Sequence, residues 1–248
     1  MTVPRSHPRY ESLRIREMVS AGFLSGAVAL EGVMAHGRGE AFDYILGEET
    51  LLTAKAAIRA AAATLLLSSH PVISVNGNVA ALCSKEVVNL SLTSNSKIEV
   101  NLFYDSIQRR RIIIGMLYRA GAKEVLGLER HSMIKGLESA RRMVSHGIAQ
   151  ADTVVVPLED GDRTQALINA GKKVITIDLN PLSRTARTAS ITIVDNITRA
   201  LPILSDYCKE MKGYHTEQLA EIAEFDNMAN LKECVRLIKE RLDEYIDA

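Results

Sequence analysis

Apolar residues recur along this chain with two different periods. From residue 8 to 21, Ile15, Met18 and Val19 fall at helical spacing. Residues 50–68 are rich in Ala and Leu and predict a second helix. Between them, residues 35–44 carry Gly37 and Gly39 around Arg38 and read as a loop. From residue 71 the pattern shortens. Runs of Val and Ile at 72–75, 98–103, 124–126, 153–156, 173–177 and 190–194 predict strands. Helices are predicted between them at 106–119, 137–145, 163–169 and 196–209. Such strands alternating with helices imply an α/β fold, a Rossmann-like, mostly parallel sheet sandwiched by helices. Residues 217–248 place Leu231, Cys234, Val235, Ile238, Leu242 and Tyr245 at helical spacing among charges. That pattern predicts one amphipathic helix, packed on the core or on a partner subunit. No Gly/Ser/Pro-rich linker divides the chain. One domain is expected, with a helical part over 1–70, the sheet core over 71–209 and a helical tail over 210–248.

Composition narrows the function classes. Lys and Arg number 30, as do Asp and Glu, so the formal net charge is zero. A balanced chain lacks the general basic surface of a nucleic-acid binder. With no Trp and 4% aromatics, a base-stacking platform is also disfavoured. The longest apolar stretch, residues 60–67, is far shorter than the roughly 20 residues that span a bilayer. The first eight residues contain no apolar run of a signal peptide. A cytoplasmic protein with neither a membrane nor a nucleic-acid partner is expected. Cys83, Cys208 and Cys234 are too scattered for a disulfide framework or a zinc knuckle.

In an open parallel sheet, ligands bind outside the carboxyl ends of the strands. Here those ends carry polar, turn-forming clusters: Asn76-Gly77-Asn78, Glu159-Asp160-Gly161-Asp162, Asp178-Leu179-Asn180, and Asp195-Asn196. Four clusters on one predicted edge indicate a ligand site. Asp178 stands where an acid accepts hydrogen bonds from a ribose; alternatively, Asp178 and Asn180 only cap a turn before Pro181. Ser183 and Thr185 precede a helix start, where backbone N–H groups meet phosphate, and Arg184 adds bidentate recognition. The 159–162 loop suits Mg²⁺ beside nucleotide phosphates, or a substrate ammonium, or is simply a solvated acidic turn. Arg14 and Arg16 lie about 200° apart on a helix, so only one of them faces a site. There is no Walker loop, no Gly-x-Ser-x-Gly elbow and no zinc-protease motif.

Seven strings carry a resemblance: Ser6–Ser12, Ala35–Tyr44, Pro71–Asn78, Glu99–Tyr104, Val156–Thr164, Ile177–Ala186 and Ile191–Asn196. Together they resemble the archaeal phosphopantothenate synthetases, in order and without large gaps from about Ser6 to Pro202. The resemblance implies an ATP-dependent ligase of coenzyme A biosynthesis. It would join 4-phosphopantoate to β-alanine through an acyl-adenylate, release AMP and diphosphate, and work as a homodimer. Carried over residue by residue, ATP would meet Arg16, Arg38, Asp178, Leu179, Asn180, Arg184, Thr185, Asn196 and Ile197. Asp105 stands after Phe103-Tyr104 where the family carries a basic residue.

The chemistry then suggests further roles. Mg²⁺ would bridge the phosphates near Asp160 or Asp162. Glu159, Asp162 or His36 would take the proton of the β-alanine ammonium. Arg141 or Arg142 would hold the 4-phosphate, with Asn76 and Asn78 near the pantoyl part. Two other classes compete. A dinucleotide oxidoreductase shares the sheet pattern but needs a Gly-x-Gly-x-x-Gly turn that this chain lacks. A non-catalytic nucleotide sensor would leave the acidic loop without a task.

Overall fold

A computed structural model describes residues 4–138 and 142–247. Five parallel strands form its centre: β1 (Pro71–Val75), β2 (Lys97–Val100), β5 (Thr153–Val155), β6 (Lys173–Ile177) and β7 (Ile191–Ile193). Their order is β2-β1-β5-β6-β7. Ile73 pairs with Ile98 on one side and with Val155 on the other. Ile175 pairs with Val155 and with Ile191. Alternate residues of each strand feed opposite cores. Ile73 and Val75 join the large core, which also holds Ile58, Val79, Leu90, Ile113 and Leu204. Val72 and Val154 join a second core with Ile148 and Leu167.

The helices that supply the large core are α1 (Tyr10–Leu24), α3 (Leu52–Leu67), α4 (Gly77–Ser94), α5 (Ile107–Arg119) and α9 (Ile197–Glu210). The other face is covered by α6 (His146–Gln150) and α7 (Gly161–Asn169). The expected α/β sandwich is therefore present. So are its strands at 72–75, 153–156, 173–177 and 190–194, to within a residue or two.

Four expectations need correction. Residues 35–44 are not a loop but the middle of α2 (Leu30–Leu46). Glycine in a helix costs about 1 kcal/mol relative to alanine. Within α2, Gly32 permits close approach to α4: a Cβ there would sit 2.3 Å from the Asn78 side chain. The true stop is Gly47, left-handed at φ 86. The described residues of 137–145 hold no α-helix. Met143–Val144 is a strand, β4, paired antiparallel with β3 (Ser132–Met133), while residues 139–141 lie outside the described residues. Residues 124–126 make a single bridge, Glu99 to Leu126, rather than a full strand. The tail is two helices, α10 (Thr216–Ala223) and α11 (Asn227–Asp247).

The start of α11 closes an open sheet edge. Asn227 Oδ1 accepts from Thr192 N at 2.8 Å, and its Nδ2 donates to Ala186 O and Ala189 O. Leu231 and Cys234 then pack with Leu46, Leu179 and Val194 in a third small core. The tail thus braces α2 and the short helix α8 (Arg184–Thr188).

Candidate functional site

The carboxyl ends of β1, β5, β6 and β7 open into a cavity of about 880 Å³, with α2 as its opposite wall. Thirteen of the residues singled out from sequence line it: Arg38, Asp178, Leu179, Asn180, Arg184, Thr185, Asn196, Ile197, His36, Asn76, Asn78, Glu159 and Asp160. Arg16, Asp162 and Arg142 do not line it. Arg141 lies outside the described residues.

The turn after β6 is built around Asp178. Its Oδ1 accepts from Asn180 N at 3.0 Å, and Ser183 Oγ donates to its Oδ2 at 2.5 Å. Ser183 Oγ in turn caps α8 by accepting from Ala186 N. Burial pushes the Asp178 carboxyl upward, and Ser183, Asn180 and the Arg38 charge pull it back. The turn is therefore held open in one shape. Leu179 is buried beneath α2, so at that position it is the backbone that can face the cavity. Arg184 begins α8 and extends outward, 61% exposed, with Nη1 donating to Asp162 Oδ1 at 2.5 Å.

The acidic loop is less free than its sequence suggests. Asp160 accepts from Asp162 N and Arg163 N and caps α7. Glu159 is buried against fully buried Arg163 at 3.3 Å, and its Oε1 accepts from Asp160 N. Burial pushes the Glu159 carboxyl up to about 7, against the pull of Arg163. Because the folded value lies above the unfolded one, this group supports folding below about pH 4.5. The support fades as pH rises through about 7. Glu159→Gln should therefore flatten the decline in stability between pH 5 and pH 8. Denaturant titrations at the two pH values check this; an unchanged slope would mean that Glu159 ionises freely in the fold.

Asn76 joins that loop to α4. Its Oδ1 caps the helix by accepting from Val79 N, while its Nδ2 donates to Pro157 O and Leu158 O. Leu158 sits at φ 52, a left-handed conformation rare outside glycine. Asn78 Nδ2 donates to Gly32 O and ties α4 to α2. Asn76 and Asn78 are thus at the cavity, but their amide groups serve the framework.

The α9 start is held by a charge network that local patterns in the sequence do not show. Arg199 Nη2 donates to Asp43 Oδ1 at 2.5 Å and lies 2.7 Å from Asp195 Oδ1. Asn196 caps α9 through its Oδ1 and donates through Nδ2 to Asp43 Oδ2 at 2.8 Å. Thr50 Oγ1 donates to Asp195 Oδ2.

On α2, His36, Gly39, Glu40 and Asp43 share one face toward the cavity. His36 Nε2 is buried and, among the described residues, has no hydrogen-bond partner. Burial holds its pKa below the usual histidine value. Of the two N-terminal arginines, Arg14 lines the cavity. Arg16 is bound instead to Glu40 at 2.8 Å, and Glu40 lines the wall. Arg142 is exposed beside the β3–β4 ribbon.

Among the described residues, no group of three His, Cys, Asp or Glu side chains could hold a metal ion. Nor is any helix long and apolar enough to cross a membrane. The three cysteines are buried and unbridged.

Residues 53–241 match the family model described as phosphopantothenate/pantothenate synthetase. The chain is 51% identical over 245 residues to the 4-phosphopantoate–beta-alanine ligase of Thermococcus kodakarensis, covering 98% of this chain and 94% of that one. It is 51% identical over 243 residues to the enzyme of the same name from Thermococcus onnurineus, covering 97% and 93%. The namesake from Methanosarcina mazei is 49% identical over 241 residues, covering 97% and 95%.

Proposed function

The chain belongs to the phosphopantothenate/pantothenate synthetase family, and on that premise we propose that it joins 4-phosphopantoate to β-alanine at this cavity, using ATP as the activating substrate. The enzyme class rests on relatives about half identical over nearly their whole length. The observation that carries the chemistry is the convergence of the Asp178 turn, the α7 start and the α9 start on one cavity.

An amine cannot displace oxide from a carboxylate, so the acid must first be activated. In this reading its oxygen attacks the α-phosphorus of ATP, diphosphate leaves, and the acyl group is carried as a mixed anhydride with AMP. The β-alanine amine then attacks the acyl carbon and AMP departs. Asp178 accepts from the ribose, each carboxylate oxygen keeping a second lone pair beyond its loop bond. The backbone of Leu179 and Asn180 and the start of α9 at Asn196 and Ile197 border the same nucleotide. Arg38, Arg184 and Thr185 hold phosphate oxygens and offset the charge that builds as the anhydride forms. Arg16 joins them by exchanging Glu40 for the ligand.

Mg²⁺ is normally held by substrate phosphates and one or two carboxylates, so it needs no three-residue cluster. Asp162 is the carboxylate left for it, since Asp160 is committed to the α7 cap. Bound there, the ion would neutralise phosphate charge. Both oxygens of Glu159 are already engaged, so the ammonium proton goes to His36 Nε2. His36→Gln should lower the rate of amide formation by about 10²-fold and remove the rise of rate with pH near the His36 pKa. A retained pH limb would move the base elsewhere. Exposed Leu24, Leu30 and Met34 offer apolar surface for a second copy, in keeping with a homodimer; a monomer mass by light scattering would remove that part.

The deciding assay mixes protein, ATP, Mg²⁺, 4-phosphopantoate and β-alanine and follows AMP. Full turnover is expected only with all components, and folded protein that releases no AMP would overturn the reading.

A further inference from the structure

Five arginines line the cavity: Arg14, Arg38, Arg109, Arg184 and Arg199. Three are already paired, Arg14 with Glu11, Arg184 with Asp162, and Arg199 with Asp43 and Asp195. Among the described residues, Arg38 and Arg109 have no carboxylate at ion-pair distance. They stand at different ends. Arg38 acts on Asp178, beyond β6. Arg109 is bound to the segment after β2, donating through Nη1 to Tyr104 O, and reaches the α1–α2 turn through Nη2 to Ala27 O at 3.0 Å. Three strand spacings of about 4.8 Å separate β2 from β6.

Arg109 is also the arginine with a donor to spare. Its Nε is buried with no hydrogen-bond partner among the described residues. Two carboxylates act on it from beyond ion-pair distance: Glu31, and Asp105, which is drawn the other way, to Arg110 at 3.1 Å and Arg130 at 2.5 Å. Two backbone carbonyls fix the guanidinium plane, so little order remains to be imposed when an anion arrives. A half-buried cation with an open N–H is a ready partner for a doubly charged oxyanion.

The ligase reading requires the acid's carboxylate to lie against the nucleotide, beside the Asp178 turn. Arg109, lining the cavity beside the segment after β2, is then a cation open to its other charged end. We propose that Arg109 binds the phosphate monoester of the acid substrate and so selects the phosphorylated acid over its free alcohol. This rests on the ligase reading and takes the role from Arg142, which stays outside the cavity.

The test compares wild type, Arg109→Gln and Arg109→Lys with 4-phosphopantoate and with unphosphorylated pantoate, reading AMP. Losing a charge-assisted contact to phosphate should raise KM for 4-phosphopantoate on the order of 10²-fold in Arg109→Gln, with less loss in Arg109→Lys. KM for ATP should stay within about twofold, and the reaction with pantoate should be the same as wild type. An unchanged KM, or an equal loss with both acids, overturns the proposal while the ligase reading stands. If wild type makes no AMP at all, the ligase reading has failed. Calorimetric titration of 4-phosphopantoate onto folded wild type and Arg109→Gln then decides the binding role alone. Weaker binding in the variant supports it, and equal or absent binding overturns it.

Discussion

Arg184→Ala should cut AMP formation by about 10²–10³-fold and leave the melting temperature within a degree or two. In the proposed ligase reading, the rate loss follows from removing one charged donor to the transferring phosphate. The unchanged stability follows from position. The side chain is 61% exposed, and its partner Asp162 is 55% exposed. Exposed pairs of this kind contribute roughly 0–1 kcal/mol. Gly161 adds a steric reason for the placement: a Cβ there would come within 2.8 Å of Arg184 Cγ, so the side chain is seated directly over the start of α7. Arg184→Lys should recover part of the rate, since it keeps charge but not the planar fork. The measurement is initial rate of AMP release alongside thermal unfolding. Full turnover in the alanine variant would remove Arg184 from the phosphate group; a collapsed melting curve would show that it holds the fold instead.

Arg199→Ala should have the opposite profile, a loss of about 3–5 kcal/mol in stability before any catalytic effect is read. Asp43 and Asp195 are 5% and 1% exposed, and both lean on this one guanidinium. Removing it leaves two buried carboxylates close together without a counter-charge. Burial already pushes the Asp195 carboxyl upward even with Arg199 present. In the variant, one of the two must take up a proton, so the loss should be larger at pH 8 than at pH 5. The α9 cap would move as well, because Asn196 Nδ2 is held by Asp43 Oδ2. Urea titrations at both pH values give the number. A loss under about 1 kcal/mol, or one independent of pH, would show that water reaches these carboxylates and replaces the arginine.

The two arginines explain why the site was only partly legible. Arg184 lies in a short string with Asp178, Asn180, Ser183 and Thr185, of which Asp178, Asn180 and Ser183 build one turn between β6 and α8. Interactions within eight residues of chain leave a mark in local composition. Arg199, Asp43 and Asp195 come from segments up to 156 residues apart. Asp195 and Arg199 stand four residues apart, but no window along the chain brings Asp43 to them. Arg109 sits inside a run of three arginines and reads as a solvated helix face, yet its Nη2 bonds the carbonyl of Ala27, far away in sequence.

What the sequence determined by itself is the sheet and the composition of its rim. Val- and Ile-rich strands and the polar turns that end them are local preferences, and parallel pairing puts every such turn on one edge. What only the tertiary structure decided is which of those side chains remain free. Asn76 and Asp160 are committed to helix caps and a strained turn, Glu159 is sealed beside Arg163, and the glycine-bearing segment 35–44 is the middle of a helix. Those outcomes depend on burial and on partners distant in sequence, whose contributions exceed the roughly 1 kcal/mol by which local preference had argued otherwise.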